Sequence, residues 1–312
     1  MNRSDIESAQ TRISAGYAGF LRETPLWKLP GSLFGCPGAE IWLKLEQLQV
    51  GGSFKARGAL HRLLAHPVPP AGVIVASGGN AGIATAAAAQ ALGVPCEVFV
   101  PEVSSPAKRA LLAERGARVV VTGASYAEAL AACQARQRET GALTTHAYDL
   151  PEVVAGAGTL ARELEHQGGL PDTVLVSVGG GGLIAGVAAW FDGRARVLAL
   201  EPEGAPTLFA ARAAGAPVDV AVSGIAADSL GARRIGSIAW EVSQRLVTDA
   251  LLLDDGAIRT AQRWLWQTLR VMVEPAAALG VAALLTGVVR PVAGERVALI
   301  LCGANLDPAT LA

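Results

Sequence analysis

The chain is poor in features on which several protein classes depend. Its 312 residues include four cysteines (Cys36, Cys96, Cys133 and Cys302), widely spaced and without a C-x-x-C pair. That excludes a disulfide scaffold and a cysteine-based zinc site, and it suits a reducing cytoplasm. Neither sign of charge prevails: 26 Lys and Arg face 27 Asp and Glu, for a net charge of −1. The electrostatic footprint of a nucleic-acid or anionic-membrane binder is therefore missing. Long apolar runs are missing too. Mean hydropathy is +0.38, largely from alanine, yet charges or turn residues interrupt every apolar stretch well before the ~18 residues of a membrane span. The opening MNRSDIESAQTR is polar and has no signal-peptide core, so the expected compartment is the cytoplasm.

What is present points to a folded protein. Hydrophobic residues make up 51% and charged residues 17%, which excludes general disorder. At about 150 residues per domain the length suggests two domains. Glycine is in surplus: 36 of 312 residues, against an ordinary share of about 7%.

Four apolar, β-branched stretches (Gly72–Ser77, Cys96–Pro101, Ala117–Thr122 and Thr173–Val178) read as strands buried on both faces of a parallel sheet. Helical stretches follow at Ala81–Gly93, Ser105–Arg115, Ser125–Thr140 and Leu183–Trp190. Two more strands, Val197–Glu201 and Val297–Cys302, and a long helix over Asp255–Val273 with an Asp cap complete the pattern. Strand alternating with helix predicts an α/β fold with right-handed crossovers. No linker divides the chain, so a second domain is expected as an insertion, residues 48–148, within a larger one formed by 1–47 and 149–312.

The glycines concentrate in three loops. Ser177-Val-Gly179-Gly180-Gly181-Gly182 sits between a strand and a helix, where bare backbone N–H groups and the helix dipole can hold a phosphate. That phosphate could belong to a small cofactor. It could also belong to a dinucleotide, because Gly180-x-Gly182-x-x-Ala185 with Glu201 about 20 residues on fits a nicotinamide-dependent oxidoreductase. Ser77-Gly78-Gly79-Asn80-Ala81 offers hydroxyl, amide and helix N–H groups to a carboxylate. Gly51-Gly52-Ser53-Phe54-Lys55 sets a lysine behind a glycine turn, where desolvation would suit it to Schiff-base chemistry. The four histidines, His61, His66, His146 and His166, show no metal spacing and read as surface or helix-end residues.

The order Ser53-Phe54-Lys55-x-Arg57-Gly58, Ser77-x-Gly79-Asn80, Gly179–Gly182, Glu274-Pro275 and Cys302-Gly-Ala-Asn305 resembles the fold-type II pyridoxal-phosphate enzymes. It is most similar to the serine/threonine dehydratases of the short catabolic type, from Thr24 to Asp307. The resemblance implies two open, mainly parallel twisted sheets flanked by helices, as in the tryptophan synthase β-chain, with the small domain inserted in the large one. It implies that Lys55 carries pyridoxal 5'-phosphate, Phe54 packs on the pyridine ring and Asn80 bonds its 3-oxygen. Gly179, Gly180, Gly181 and Gly182 would hold the phosphate, and Cys302 would face the pyridine nitrogen, where a neutral thiol makes a weaker electron sink than a carboxylate. Ser77, Gly78, Asn80 and Ala81 would take the substrate carboxylate.

The implied reaction is β-elimination from L-serine or L-threonine. Lys55 would remove the Cα proton, the β-hydroxyl would leave with a proton from the cofactor phosphate, and a 2-oxo acid and ammonia would result. Gly78 stands where related racemases carry a serine, so racemisation is expected to be minor. Glu201 and Ala205, with the carbonyls of Leu230 and Ala232, match a cation site. Thr207 in place of an Asp favours K⁺ there. Ten residues follow Cys302, so no regulatory domain is expected. Other β-hydroxy amino acids (threo-3-hydroxyaspartate, phenylserine), β-replacement and a binding protein without catalysis are the remaining readings of the same site. A homodimer is the symmetric default.

Overall fold

The computed structural model describes residues 1–307 and 309. Among the described residues ten strands form two sheets. They are β1 (Leu26–Pro30), β2 (Glu40–Lys44), β3 (Val73–Ala76), β4 (Cys96–Val100), β5 (Arg118–Val121), β6 (Leu143–Thr144), β7 (Thr173–Ser177), β8 (Arg196–Pro202), β9 (Asp249–Leu253) and β10 (Arg296–Ile300). One sheet runs β1-β2-β10-β7-β8-β9 and the other β5-β4-β3-β6. Every pairing is parallel except β1 with β2. The continuous apolar runs of β3 and β7 are buried throughout, as central parallel strands require. β5 departs from the expectation of burial on both faces. It lies at a sheet edge, pairs only with β4 and exposes both its ends.

Caps mark the helix starts that local chemistry predicts. Ser105 and Ser125 accept from the N–H groups of Lys108 and Glu128 and open the helices Pro106–Glu114 and Tyr126–Thr140. The expected helix over Asp255–Val273 is shorter than its apolar pattern suggests. It runs Asp255–Trp264, passes into a π-helical turn at Leu265–Leu269 and stops at Arg270, whose φ is 58°. Its cap is Asp254, while the Asp255 carboxylate accepts from Ile225 N at 3.0 Å.

A large core surrounds the six-stranded sheet, and two smaller clusters cover the faces of the four-stranded one. The helix Lys55–Ala65 joins them. Its Ala59, Leu60 and Leu63 enter the core beside β3 and β4. Its other side crosses the helix Pro151–Gly168 so closely that a Cβ on Gly156 would lie 2.6 Å from the Arg57 carbonyl. Arg57 ties the first turn down with a bidentate bond to Glu46 (2.8 and 2.7 Å) and an ion pair to Glu163 (2.9 Å). His61, expected at the surface, is buried on this helix. The helix Arg3–Tyr17 docks over it, so Arg12 donates to His61 Nε2 (3.0 Å) and His61 Nδ1 donates to the Glu152 carbonyl (2.8 Å). Among the described residues no helix is long and apolar enough to cross a membrane.

Candidate active site

Lys55 begins a helix directly behind the turn at Gly51 and Gly52, both with positive φ. Its Nζ donates to the Ala147 carbonyl at 2.6 Å and lies 4.8 Å from the centre of the Phe54 ring. Burial brings its pKa down from 10.5 to about 8, with the Glu274 carboxylate opposing part of the fall. An amine held this way has a substantial neutral fraction near neutrality, as a nucleophile or proton acceptor needs.

The segment that receives Lys55 also packs against the tetraglycine loop. A Cβ on Gly180 would lie 2.3 Å from the Tyr148 ring, and one on Gly182 would lie 2.6 Å from the Tyr148 carbonyl. The loop thus has no space for side chains on that side, and it leads into the helix Gly182–Phe191. The N–H groups at this helix start could hold an anion. Ala147 and Tyr148 are adjacent, so one short stretch places Lys55 and the phosphate-type loop together.

The loop Ser77–Ala81 follows β3, and Asn80 opens the helix Asn80–Leu92. Asn80 Nδ2 donates to Glu274 at 2.8 and 3.1 Å, while Asn305 Nδ2 donates to Asn80 Oδ1 at 2.7 Å. Glu274 is 5% exposed, and burial raises its pKa to about 7. Ser77 Oγ accepts from Gly79 N, and the side of Gly78 where a Cβ would stand faces Ser104 Oγ at 3.1 Å. Cys302 is buried, and its carbonyl accepts from Phe54 N at 3.0 Å. Burial pushes its thiol far above the ordinary range, so the sulfur is neutral.

The cation-site residues lie behind the tetraglycine loop. Glu201 is fully buried, accepts from Leu208 N and Phe209 N at 2.8 Å each and has its pKa raised by burial to about 7. Thr207 Oγ1 donates to the Gly179 carbonyl at 2.5 Å and sits 3.0 Å from Glu201 Oε1. Ala205 is buried, Leu230 packs 3.2 Å from the Cβ position of Gly179, and Ala232 is half-buried two residues on. Among the described residues no group of three His, Cys, Asp or Glu side chains could hold a metal. A carboxylate, a hydroxyl and a backbone carbonyl meet here, bonded to one another and to the N–H groups of Leu208 and Phe209.

Several neighbours carry no signal in the sequence. Glu274 and Asn305 belong to recognisable motifs, but nothing local says that they meet Asn80. His146 stacks edge-on against Tyr148 at 4.5 Å. Lys108 and Asp228 pair across 120 residues of sequence. Only the folded chain brings these together.

A family model described as pyridoxal-phosphate dependent enzyme matches residues 18–303. The chain belongs to that family. It is 37% identical over 310 residues to phenylserine dehydratase from Ralstonia pickettii, covering 98% of this chain and 94% of the relative. The structure of maize serine racemase superposes with a TM-score of 0.91 at 31% identity, covering 99% of this chain and 95% of that one. The T.th. threonine deaminase gives 0.89 at 35% identity, covering 98% and 99%. The chain is therefore a fold-type II, pyridoxal-phosphate dependent lyase. The residues fit this cofactor: an enclosed amine, a glycine loop at a helix start, and a neutral thiol. The oxidoreductase reading falls, because the family is settled and the Glu201 carboxylate is taken by backbone N–H groups rather than free for a ribose.

Proposed function

We propose that the protein is an ammonia-lyase that converts L-threonine, L-serine or a related β-hydroxy amino acid to a 2-oxo acid and ammonia. The observation that carries this reading is Lys55, an amine with its pKa near 8 beside the tetraglycine loop and the Asn80 loop. Bound pyridoxal phosphate supplies an electron sink for charge developing at Cα. Lys55 is the amine that would hold the cofactor, and its neutral form is placed to take the Cα proton. Ser77, Gly78, Asn80 and Ala81 orient the substrate carboxylate with hydroxyl, amide and N–H donors. Gly179 to Gly182 would hold the phosphate, Phe54 would pack on the ring and Cys302 would offer its neutral sulfur to the ring nitrogen. Gly78 has no proton to give to the opposite face of Cα, so racemisation is minor.

The same reading divides the chain into a large domain, 1–47 and 149–312, and an inserted small domain, 48–148. The support is that β3 to β6 form their own sheet inside that interval. It also places K⁺ at Glu201, Ala205, Leu230 and Ala232, with Thr207, and makes the protein a cytoplasmic homodimer.

A bulkier substrate is a second reading, favoured by one observation. His146 lies near Lys55 and stacks edge-on against Tyr148, and Tyr126, half-exposed, lies near Tyr148. An aryl β-substituent such as that of phenylserine would find a matching wall there. The decisive experiment combines the visible spectrum, borohydride reduction and 2-oxo acid release from serine, threonine and phenylserine. A cofactor fixed to Lys55 and release that disappears in Lys55→Ala support the function, and a colourless protein overturns it.

A further inference from the structure

The Asn80 amide is held from both sides. Glu274 accepts from its nitrogen at 2.8 and 3.1 Å. On the other side Asn305 Nδ2 donates to Asn80 Oδ1. The direction of the Asn305 amide is itself fixed, because the same nitrogen donates to the Gly51 backbone carbonyl at 2.7 Å. A backbone carbonyl cannot donate. Polarity therefore runs one way, from Gly51 O through Asn305 and Asn80 to Glu274. Turning the Asn80 amide over would set oxygen against carboxylate and nitrogen against nitrogen.

Both clamping residues are braced. Glu274 N donates to the Gly303 carbonyl at 3.1 Å, and a Cβ on Gly303 would lie 2.4 Å from Glu274 Oε1. A Cβ on Gly52 would lie 2.5 Å from Asn305 Oδ1. The two oxygens of one carboxylate are too close together to take both diverging N–H bonds of a planar amide. Asn80 thus keeps one N–H that the carboxylate does not take.

We propose that Glu274 and Asn305 are positioning residues that lock the Asn80 amide with this N–H toward the ring oxygen of the bound cofactor. The inference rests on the assignment of pyridoxal phosphate to this cleft. It concerns the direction of one amide and goes beyond the identity of the enzyme. A donor at the ring oxygen affects the colour of the cofactor and how firmly it is held, two properties that bracing of the fold alone would leave in place.

Three variants test it, each checked for folding by its apo thermal transition. Asn305→Asp puts an acceptor opposite Asn80 Oδ1 and calls the nitrogen away from the cofactor. Glu274→Leu removes the acceptor that holds it. Glu274→Gln keeps an acceptor oxygen and serves as the conservative rescue. The readouts are the visible absorption maximum of the holoenzyme and the affinity of the apoprotein for added pyridoxal phosphate. Asn305→Asp and Glu274→Leu should shift the band and weaken affinity about 10- to 100-fold, with Glu274→Gln within about threefold of wild type. Wild-type bands and affinities in all three would overturn the proposal. So would equal damage in all three, since the charge rather than the polarity would then matter. A wild-type protein that holds no borohydride-fixed cofactor at Lys55 fails at the earlier step, and that failure is recognisable on its own.

Discussion

Lys55 reaches the Ala147 carbonyl at 2.6 Å, and the next residue, Tyr148, lays its ring where a side chain on Gly180 would stand. The lysine and the glycine loop are therefore set by one dipeptide. The absence of a side chain at Gly180 has a specific reason, since a methyl group there would lie 2.3 Å from the ring.

Gly180→Ala should accordingly damage both ends of the site. The ring must shift to admit the methyl group, and overpacking of this kind costs about 1–3 kcal/mol. The shift carries Ala147 with it. We expect a lower thermal transition and weaker cofactor binding. Gly180→Ala combined with Tyr148→Ala, which frees the space, should recover part of the stability but not the affinity. Unchanged stability in Gly180→Ala would show that the ring moves freely.

Capture of added pyridoxal phosphate by the apoprotein should depend on pH through Lys55. Burial lowers its pKa from 10.5 to about 8. The amine is the attacking form, so the capture rate should rise as pH increases through about 8 and level off above it. An exposed lysine would still be gaining rate two units higher. Stopped-flow absorbance across that range distinguishes the two, and Lys55→Arg should abolish the phase.

The sequence disclosed whatever is encoded locally. β-branched runs and serine caps announce β3, β7 and the helices Pro106–Glu114 and Tyr126–Thr140, because strand burial and capping depend on neighbours in the chain. The glycine loops and Lys55 were legible for the same reason. The edge position of β5, the burial of His61 and the break after Trp264 were not. The first two depend on what packs alongside, β4 as the one strand beside β5 and the helix Arg3–Tyr17 over His61, and the third on a π-turn that ends at Arg270 with positive φ. The Glu274–Asn80–Asn305 chain joins segments separated by 194 and 225 residues. No local pattern carries such a relation.

Glu274 should impose a pH dependence on apoprotein stability opposite in sign to that of the ion-paired carboxylates. Burial raises its pKa from 4.5 to about 7. A raised folded-state pKa gives a contribution fully present below the unfolded value and lost as pH rises through about 7. Glu163, held low by Arg57 and Lys44 despite its burial, contributes above its unfolded pKa and loses that contribution on acidification. Glu274→Gln should therefore flatten the decline in stability between about 4.5 and 7 that urea titrations of the wild-type apoprotein should show. An unchanged slope would place that titration elsewhere.

The pair Lys108–Asp228 connects the helix after β4 with the segment that precedes the helix Ser237–Leu246. Asp228 is largely exposed, and the backbone of this residue approaches the Cβ position of Gly79 at 3.9 Å. Exposed ion pairs contribute about 0–1 kcal/mol to stability, so Lys108→Ala should leave the thermal transition almost unchanged. Its effect should fall instead on the loop Ser77–Ala81, proposed above to hold the substrate carboxylate, because the pair tethers Asp228 against Gly79. We expect KM for the amino acid to rise a few-fold at low ionic strength with kcat nearly constant. At about 1 M salt the Debye length shrinks to about 3 Å and the tether weakens in the wild type as well. The two proteins should then converge. A KM difference that persists at high salt would assign the effect to the packing of the Lys108 side chain rather than to its charge.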